Sequence, residues 1–167
     1  MIHYIKGNML FSNCDYLCHQ VNCQGKMGSG IALAIKDKWP IVYEQYMEWY
    51  EWWQDVAADE FMIYENGPDG SELMLGHILT VKINDKQSVI NLAAQQYYGY
   101  DGRRYTSYDA FWNCLGEIKN SVPEGSTIAF PEKIGSCRGG ANWDVIRTMI
   151  DAALGLKYDV YIYSLGE

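Results

Sequence analysis

Short apolar segments alternate with amphipathic stretches along most of the chain, a pattern typical of strands that alternate with helices. Residues 2–6 alternate apolar and polar side chains, as an edge or half-buried strand does. Residues 16–21 are more apolar and predict an interior strand. The remaining pattern predicts strands at 61–64, 73–83, 88–94, 127–130 and 159–163, and helices at 31–38, 43–53, 105–121 and 142–154.

Turn residues separate these elements. Pro40 is expected to end the first helix, because the residue before a proline avoids the helical region. Glycine and proline at 66–70 predict a turn, and residues 82–86 predict a second one. The next helix carries an aromatic stripe opposite its glutamates, and this arrangement favours a face packed on the core over a ligand site. The stripe consists of Tyr43, Tyr46, Met47 and Tyr50.

The order of elements predicts an α/β chain with a three-layer α/β/α fold, in which a central mixed sheet is flanked by helices. With 167 residues and neither repeat nor linker, the sequence predicts a single domain over residues 1–167. It has no apolar run of membrane-spanning length and no signal-peptide pattern at its start, so we expect a cytoplasmic protein that does not contact membranes.

The net charge and the cysteine content limit which partners, disulfides and metal sites we expect. The net charge of −8 argues against duplex nucleic acid, whose binding requires clustered Lys and Arg. The five cysteines are expected to be buried thiols rather than disulfides. Cys14, Cys18, His19 and Cys23 suggest zinc, but the adjacent Cys18 and His19 point to opposite faces of a strand, so no metal or other cofactor is predicted.

Two glycine-rich loops are the most informative features. Residues 22–30 join a predicted strand to a helix and contain Gly25, Gly28 and Gly30. Residues 131–142 repeat this order about a hundred residues later. Glycines let backbone N–H groups approach a ligand, and a helix N-terminus favours an anion. Two such loops on neighbouring strands predict a crevice that grips a diphosphate from both sides.

These loops resemble those of the macrodomain family. The run 19–40, with its Met-Gly-Ser-Gly-Ile-Ala segment and Trp39-Pro40, is similar to the first phosphate loop and helix of macrodomains. The run 134–143 is similar to their second loop. The resemblance extends over nearly the whole chain and is nearest to the ADP-ribose 1''-phosphate phosphatases and their phage and bacterial relatives. For a phage protein, the expected location is the host cytoplasm.

The resemblance implies a small-molecule partner, ADP-ribose or a derivative, and a role for each matching residue. Asn8 stands where macrodomains usually have an aspartate that reads adenine, and Asn22 matches an asparagine that reaches the distal ribose. Tyr163 corresponds to an aromatic residue that covers adenine, although a core tyrosine is an equal interpretation. The other implied ligand-binding residues are Met9, Gly25, Gly28, Ser29, Gly30, Ile31, Gln95, Gly135, Ser136, Cys137, Arg138, Gly139 and Gly140.

The sequence indicates the catalytic residues less clearly than it indicates the binding residues. Gln95 and Gly139 stand where one hydrolytic branch has a lysine and an aspartate, so the covalent lysine mechanism is not expected. His19, with an ordinary pKa near neutrality, is the candidate that positions or deprotonates water, together with Asn22. A structural histidine is the alternative. Thiol catalysis by Cys23 or Cys137 is disfavoured because neither is followed by the arginine of a Cys-x5-Arg cradle.

Two questions stay open at this stage. Arg138 either neutralises a terminal phosphate or is simply exposed, and the aromatic run 97–100 either walls the distal ribose or packs on the sheet. The leading hypothesis is a hydrolase that removes the phosphate of ADP-ribose 1''-phosphate. The alternatives are a reader that binds ADP-ribose without turnover and a hydrolase that releases ADP-ribose from modified macromolecules.

Overall fold

A computed structural model describes residues 1–61 and 67–166. Their strands form one six-stranded sheet in the order β1-β6-β5-β2-β4-β3. Neighbouring strands are parallel except β3, which runs antiparallel to β4 at one edge. The predicted mixed sheet is therefore confirmed. The strands are β1 (Ile2–Lys6), β2 (Tyr16–Asn22), β3 (Ile78–Lys82), β4 (Ser88–Gln95), β5 (Thr127–Pro131) and β6 (Asp159–Ser164).

Helices cover both faces of this sheet. None of those in the described ranges is long and apolar enough to cross a membrane. A short 3₁₀ turn, Met9–Phe11, follows β1. The α-helices are α1 (Gly30–Lys38), α2 (Pro40–Phe61), α3 (Gly70–Met74), α4 (Tyr108–Ser121) and α5 (Trp143–Leu154).

Two apolar cores lie on the two faces, and β2 contributes to both because its side chains alternate. Cys18 points into the core beneath α4 and α5, together with Phe111 and Ile146. Leu17 and Val21 point into the core beneath α1, α2 and α3. The three-layer α/β/α arrangement predicted from the sequence is thus confirmed.

The aromatic stripe of α2 packs on the second core, as its spacing predicts. Tyr46 is fully buried, and Tyr43, Met47 and Tyr50 are partly buried against the same cluster. Pro40 does follow the end of α1, but it also occupies the first position of α2. Proline suits that position because the first N–H groups of a helix have no intrahelical partner.

One predicted strand is wrong. Residues 73–83 form the end of α3 and then β3, not a continuous strand. The reason is a helix cap: the Asp69 carboxylate accepts hydrogen bonds from the Glu72 backbone N–H (3.0 Å) and the Ser71 hydroxyl (2.6 Å). The turn at 82–86 is confirmed as the β3–β4 connection, in which Ile83 and Gln87 pair through their backbones.

Two further predictions fall at the gap in the described residues. The strand expected at 61–64 begins on Phe61, which is the last residue of α2, and its remaining residues lie outside the described ranges. Of the turn expected at 66–70, residue 66 lies outside them, and Gly70 is the first residue of α3.

Candidate functional site

The parallel strands place their carboxyl ends at one edge of the sheet, which we call the carboxyl edge. β2 lies between β5 and β4, so the loop after β2 has the loops after β5 and β4 as neighbours. The first glycine loop (residues 23–29) follows β2, and the second (residues 132–142) follows β5. The fold therefore brings the two predicted loops to adjacent positions on the same edge, where open α/β sheets bind ligands.

Asn22 organises the first glycine loop. Its side-chain Nδ2 donates to the Lys26 carbonyl (2.9 Å), and its Oδ1 accepts from the Gln24 backbone N–H (3.0 Å). The Tyr46 hydroxyl, on α2, donates to the Asn22 main-chain oxygen (2.7 Å). Gly25 has a φ of 73° and sits against the Tyr50 ring, a conformation and proximity that favour glycine. Contact between Asn22 and a distal ribose stays a prediction.

The start of α1 presents free backbone donors. Ser29 precedes the helix, but its hydroxyl makes no capping hydrogen bond, whereas Ser107 and Asn142 cap α4 and α5. Within the described part of the chain, no oxygen accepts a hydrogen bond from the backbone N–H groups of residues 28–31. An anion is the natural partner for such a helix N-terminus.

The second glycine loop is held in place by the segment after β4. The Thr106 hydroxyl donates to the Gly135 carbonyl (2.8 Å), and the backbone N–H groups of Tyr105 and Thr106 both donate to the Gly139 carbonyl (2.8 and 2.9 Å). Gly135 and Gly140 have φ values of 72° and 71°. Among the described residues, nothing accepts from the N–H groups at 137–139, so this loop also offers backbone donors.

Gln20 connects the elements beneath the loops, and sequence reasoning missed it. Its Nε2 donates to Gln95 Oε1 and to Thr106 Oγ1, both at 2.8 Å. Its Oε1 is buried, and no partner is found for it among the described residues. A β-carbon on Gly135 would lie 2.8 Å from this oxygen. The available signal was a glutamine within an otherwise apolar interior strand, because a buried amide requires partners.

The residues predicted to read adenine also lie at the carboxyl edge. Asn8 follows β1, and its Oδ1 accepts from the Leu10 backbone N–H (3.0 Å). Tyr163, near the end of β6, is partly buried, and a β-carbon on the intervening Gly7 would lie 3.8 Å from its ring. Met9 is buried, so its side chain contributes to the core. Recognition of adenine by these residues stays a prediction.

His19 lies in surroundings typical of a structural histidine. The side chain is fully buried on the α1–α2 side of the sheet, and its Nε2 lies 2.5 Å from Asn91 Oδ1 on β4. Since Asn91 Nδ2 donates to the Leu79 carbonyl (3.0 Å), Oδ1 is the acceptor and His19 is protonated at Nε2. Burial lowers the pKa of His19 to about 4. A neutral, enclosed imidazole favours the structural alternative for His19, and its catalytic role stays a prediction.

The cysteines divide between the two cores. Cys18 lies in the core beneath α4 and α5, whereas Cys14 and Cys23 lie in the opposite one. No group of three or more potential metal ligands occurs in the described ranges. Burial raises the pKa of the Cys23 thiol to about 12, which removes its nucleophilic thiolate at neutral pH. Cys137 is the exposed cysteine and lies in the second glycine loop.

The aromatic run after β4 faces solvent. The side chains of Tyr97, Tyr98 and Tyr100 are all exposed. Arg138, in the second glycine loop, is exposed and places its guanidinium 4.6 Å from the centre of the Tyr100 ring. Contact between these side chains and a distal ribose stays a prediction.

Two surface cavities lie away from the glycine loops. One, of about 400 Å³, is at the opposite edge of the sheet, where Asp15, Lys82 and Ser126 line it. The other, of about 630 Å³, lies between β1 and α5 and is lined by Tyr4 and Leu156. Neither contains the paired backbone donors that distinguish the carboxyl edge, and we assign them no role in ligand binding.

Comparison with known sequences gives distant relatives. No protein-family model matches the chain. A DNA ADP-ribosyl glycohydrolase of Thermus aquaticus is 23% identical over an alignment of 169 residues, which covers 100% of this chain and 42% of that protein. An ADP-ribose 1''-phosphate phosphatase of Candida albicans is 23% identical and aligns over 97% of this chain and 99% of its own length. An uncharacterized 17.5 kDa protein of phage T4 is 27% identical over 90% of this chain and 88% of its own.

Solved structures give a stronger likeness. A Bacteroides thetaiotaomicron protein of unknown function has a TM-score of 0.78 and 27% identity, with 99% of this chain and 98% of that one covered. The macrodomain of Mycobacterium tuberculosis DarG has a TM-score of 0.74 and 21% identity over 98% and 97% of the two chains. Thermosipho africanus DarTG in complex with ADP-ribose has a TM-score of 0.68 and 19% identity, over 97% of this chain and 41% of that one. This chain therefore has the fold of the solved macrodomains.

Proposed function

We propose that this chain binds ADP-ribose or a close derivative at the carboxyl edge, with the diphosphate between the two glycine loops. The observation that carries the proposal is the pair of loops on adjacent strands, each with backbone N–H groups that lack an acceptor in the described part of the chain. Gln20 links the base of one loop to the other through its contacts with Thr106 and Gly135.

Backbone donors explain how an acidic chain holds an anion. At a net charge of −8, long-range attraction of a diphosphate is absent, so binding depends on short-range contacts. The N-terminus of α1 contributes about 0.3–1 kcal/mol to an adjacent negative charge, and hydrogen bonds to an ionised oxygen are worth roughly 1.5–3 kcal/mol each. Micromolar affinity corresponds to about 8 kcal/mol, so three or four such contacts are a large part of the binding energy, which must also offset the entropy lost on association.

The comparisons support the same ligand. The Thermosipho protein with this fold is in complex with ADP-ribose, and two of the curated relatives are named for ADP-ribose chemistry. The adenine end would lie near Asn8 and Tyr163, because β1 and β6 are neighbours at the side of the sheet beyond β5. The distal ribose would then lie toward β2 and β4.

Calorimetry with a ligand series tests the proposal. We expect ADP-ribose to bind more tightly than ADP, and ADP more tightly than AMP by about tenfold or more, because AMP engages only one of the two loops. Equal affinity for AMP and ADP-ribose would contradict a clamp on the diphosphate. Inorganic pyrophosphate serves as a control for charge alone and is expected to bind weakly, since it lacks the adenosine.

Hydrolysis at the distal ribose is the second candidate function. The names of the two enzymatic relatives denote cleavage of a phosphate or of a glycosidic bond, and both groups are carried by C1'' of that ribose. The alignment covers 99% of the phosphatase, so the protein that carries that activity is about as long as this chain. Water would supply the oxygen, and ADP-ribose would be one product in either case.

No described side chain supplies an obvious general base for this reaction. His19 is enclosed, and its neutral form persists down to about pH 4. Gln20 Oε1 is a buried acceptor near the second glycine loop and is suited to orient a water molecule. Arg138 lies in that loop, and its guanidinium can neutralise a phosphate leaving group.

Two substrates separate the hydrolytic activities from binding alone. Phosphate release from ADP-ribose 1''-phosphate reports the phosphatase, and a gel shift of ADP-ribosylated DNA reports the glycohydrolase. Tight calorimetric binding of ADP-ribose with neither product at high protein concentration would identify a reader. Turnover of one substrate and not the other would show which of the two bonds the protein hydrolyses.

A further inference from the structure

The strand β1 lies at one edge of the sheet and leaves a row of its backbone groups without a partner. The Val160 N–H donates to the Met1 carbonyl (2.9 Å), so Met1 and alternate residues after it direct their backbone groups toward β6. The N–H and C=O groups of the residues between them, Ile2, Tyr4 and Lys6, therefore point away from the sheet. Within the described ranges, no other backbone group pairs with these three residues.

An apolar surface adjoins this open edge. Met1, Tyr4 and Leu156 are 70%, 59% and 100% exposed. Together with Arg147 and Asp151, they line the cavity of about 630 Å³ between β1 and α5. Large apolar side chains grouped beside an unpaired strand edge are typical of an interface with another chain. We call β1 and the residues that line this cavity the β1 face.

The sequence of β1 does not protect its edge in the usual ways. Natural proteins often place a proline, a bulge or an inward-pointing charge in an edge strand. The pairing of β1 with β6 is regular over all five residues, and the central residue is Tyr4. The lysine of the strand, Lys6, is at its end. This edge is therefore able to pair with a further strand.

The pattern of outward-facing groups suits a second copy of β1. When two copies run antiparallel with Tyr4 on a two-fold axis, Tyr4 is opposite Tyr4 of the second copy, and Ile2 is opposite Lys6 of the second copy. These are the residues with outward-facing backbone groups, so each pair can exchange both N–H···O bonds, as the hydrogen-bonded pairs of an antiparallel ladder do. The contact is closed, because both copies use the same surface.

Charge complementarity favours a second copy over a strand of another protein. Ile2 and Lys6 are on the same face of the sheet, and Ile2 packs against the core beneath α5. Asp151 lines the same cavity as Ile2, so Lys6 of a second copy would lie beside it. Neither Lys6 nor Asp151 makes an ion pair in the part of the chain that the structure describes, whereas Arg147 is paired with Asp144 (3.0 Å).

We propose that this chain forms a symmetric dimer in which two copies of β1 pair antiparallel and join the two sheets into one, with Lys6 of each copy paired to Asp151 of the other. The antiparallel arrangement places the two carboxyl edges at opposite ends of the joined sheet. The glycine loops of both copies therefore stay accessible, and the interface does not depend on the proposed function.

Sedimentation velocity of the full chain between about 1 and about 200 μM tests the proposal, with a concentration-dependent dimer expected for the wild type. Lys6→Glu should weaken dimerisation at least about tenfold, because it sets two carboxylates against each other at both ends of the interface, and Asp151→Lys should do the same with two ammonium groups. K6E/D151K should return to within about threefold of the wild type, since only a second copy of the chain carries both changes. Lys82→Glu, on β3 at the opposite edge of the sheet, is the matched control and should leave the dimer unchanged.

Hydrogen exchange locates the contact. The Tyr4 amide should be protected at about 200 μM and exchange freely at about 1 μM, whereas the Ile5 amide, which faces β6, should be protected at both concentrations. Four results would overturn the proposal: a wild-type chain that stays monomeric throughout, a dimer that persists in Lys6→Glu, a double variant that does not recover, or a Tyr4 amide that exchanges freely in the dimer.

Discussion

The buried side-chain oxygen of Gln20 lies 2.8 Å from the position that a β-carbon on Gly135 would occupy. This relationship joins the interior of β2 to the second glycine loop, because the amide nitrogen of Gln20 also donates to Gln95 and Thr106. A glycine is required at position 135 both by this proximity and by its φ of 72°.

Gln20→Met is expected to destabilise the protein and loosen the second glycine loop. The substitution keeps the length of the side chain but removes two hydrogen bonds, at a cost of about 1–3 kcal/mol in the free energy of unfolding. ADP-ribose affinity should fall as the loop loses its support. Urea denaturation and calorimetry measure the two effects, and Gln45→Met on α2 provides the control. Unchanged stability in Gln20→Met would show that the network is dispensable.

Tyr46→Phe tests the connection between α2 and the first glycine loop. The lost hydroxyl donates to the Asn22 carbonyl and lies 3.0 Å from Asn22 Oδ1, so the variant removes this support without opening a cavity. We expect a loss of about 1 kcal/mol in stability and a weaker affinity for ADP-ribose. Tyr43→Phe, on the same stripe, should change neither quantity. ADP-ribose affinity that is identical in both variants would show that the hydroxyl has no role in shaping the loop.

His19 should make stability depend on pH between about 6.5 and about 4. The unfolded chain protonates this residue near its ordinary pKa of 6.5, whereas the buried ring in the folded state resists protonation to about 4. The unfolded state therefore binds more protons in this window, so stability falls as the pH falls through it and is fully present above it. The total loss is about 3 kcal/mol.

Urea denaturation at about pH 7 and about pH 4.5 measures this effect. His19→Gln should lose roughly 2–3 kcal/mol less than the wild type between these two conditions, although it starts from a lower stability. His3→Gln is the control, because His3 is partly exposed and pairs with Asp159 at the surface. Identical pH dependence in His19→Gln and the wild type would contradict the buried, neutral imidazole.

The sequence predicted the layers of the fold because hydrophobic periodicity reports burial directly. Tyr46 and its stripe illustrate this, as do the strands that precede the two glycine loops. The strand predicted at 73–83 failed because a capped turn of helix, set by Asp69, interrupts an apolar run that looks continuous. Periodicity does not register a single hydrogen-bonded cap.

The candidate site was predictable only in part. Glycine loops next to helix starts carry a local signal, and the fold places both at the carboxyl edge. The environment of His19 depends on Asn91, which is 72 residues distant in sequence, so its burial and low pKa had no local signature. The partners of Gln20 likewise arise from tertiary contacts between β2, the segment after β4 and the second glycine loop.

The central claim is that backbone N–H groups of the glycine loops hold the diphosphate of ADP-ribose, and Gly28→Ala tests it most directly. A β-carbon at position 28 meets no atom within 4 Å, so the fold should tolerate it, yet it would occupy the space through which a phosphate approaches the backbone. Gly116→Ala on α4 is a matched control with equally open surroundings.

Calorimetric titration of ADP-ribose into the wild type and both variants is the decisive measurement. We predict that Gly28→Ala retains the melting temperature of the wild type but binds ADP-ribose at least about tenfold more weakly, which corresponds to about 1.4 kcal/mol, whereas Gly116→Ala binds normally. Equal affinity in all three proteins, or no binding by the wild type, would contradict the account.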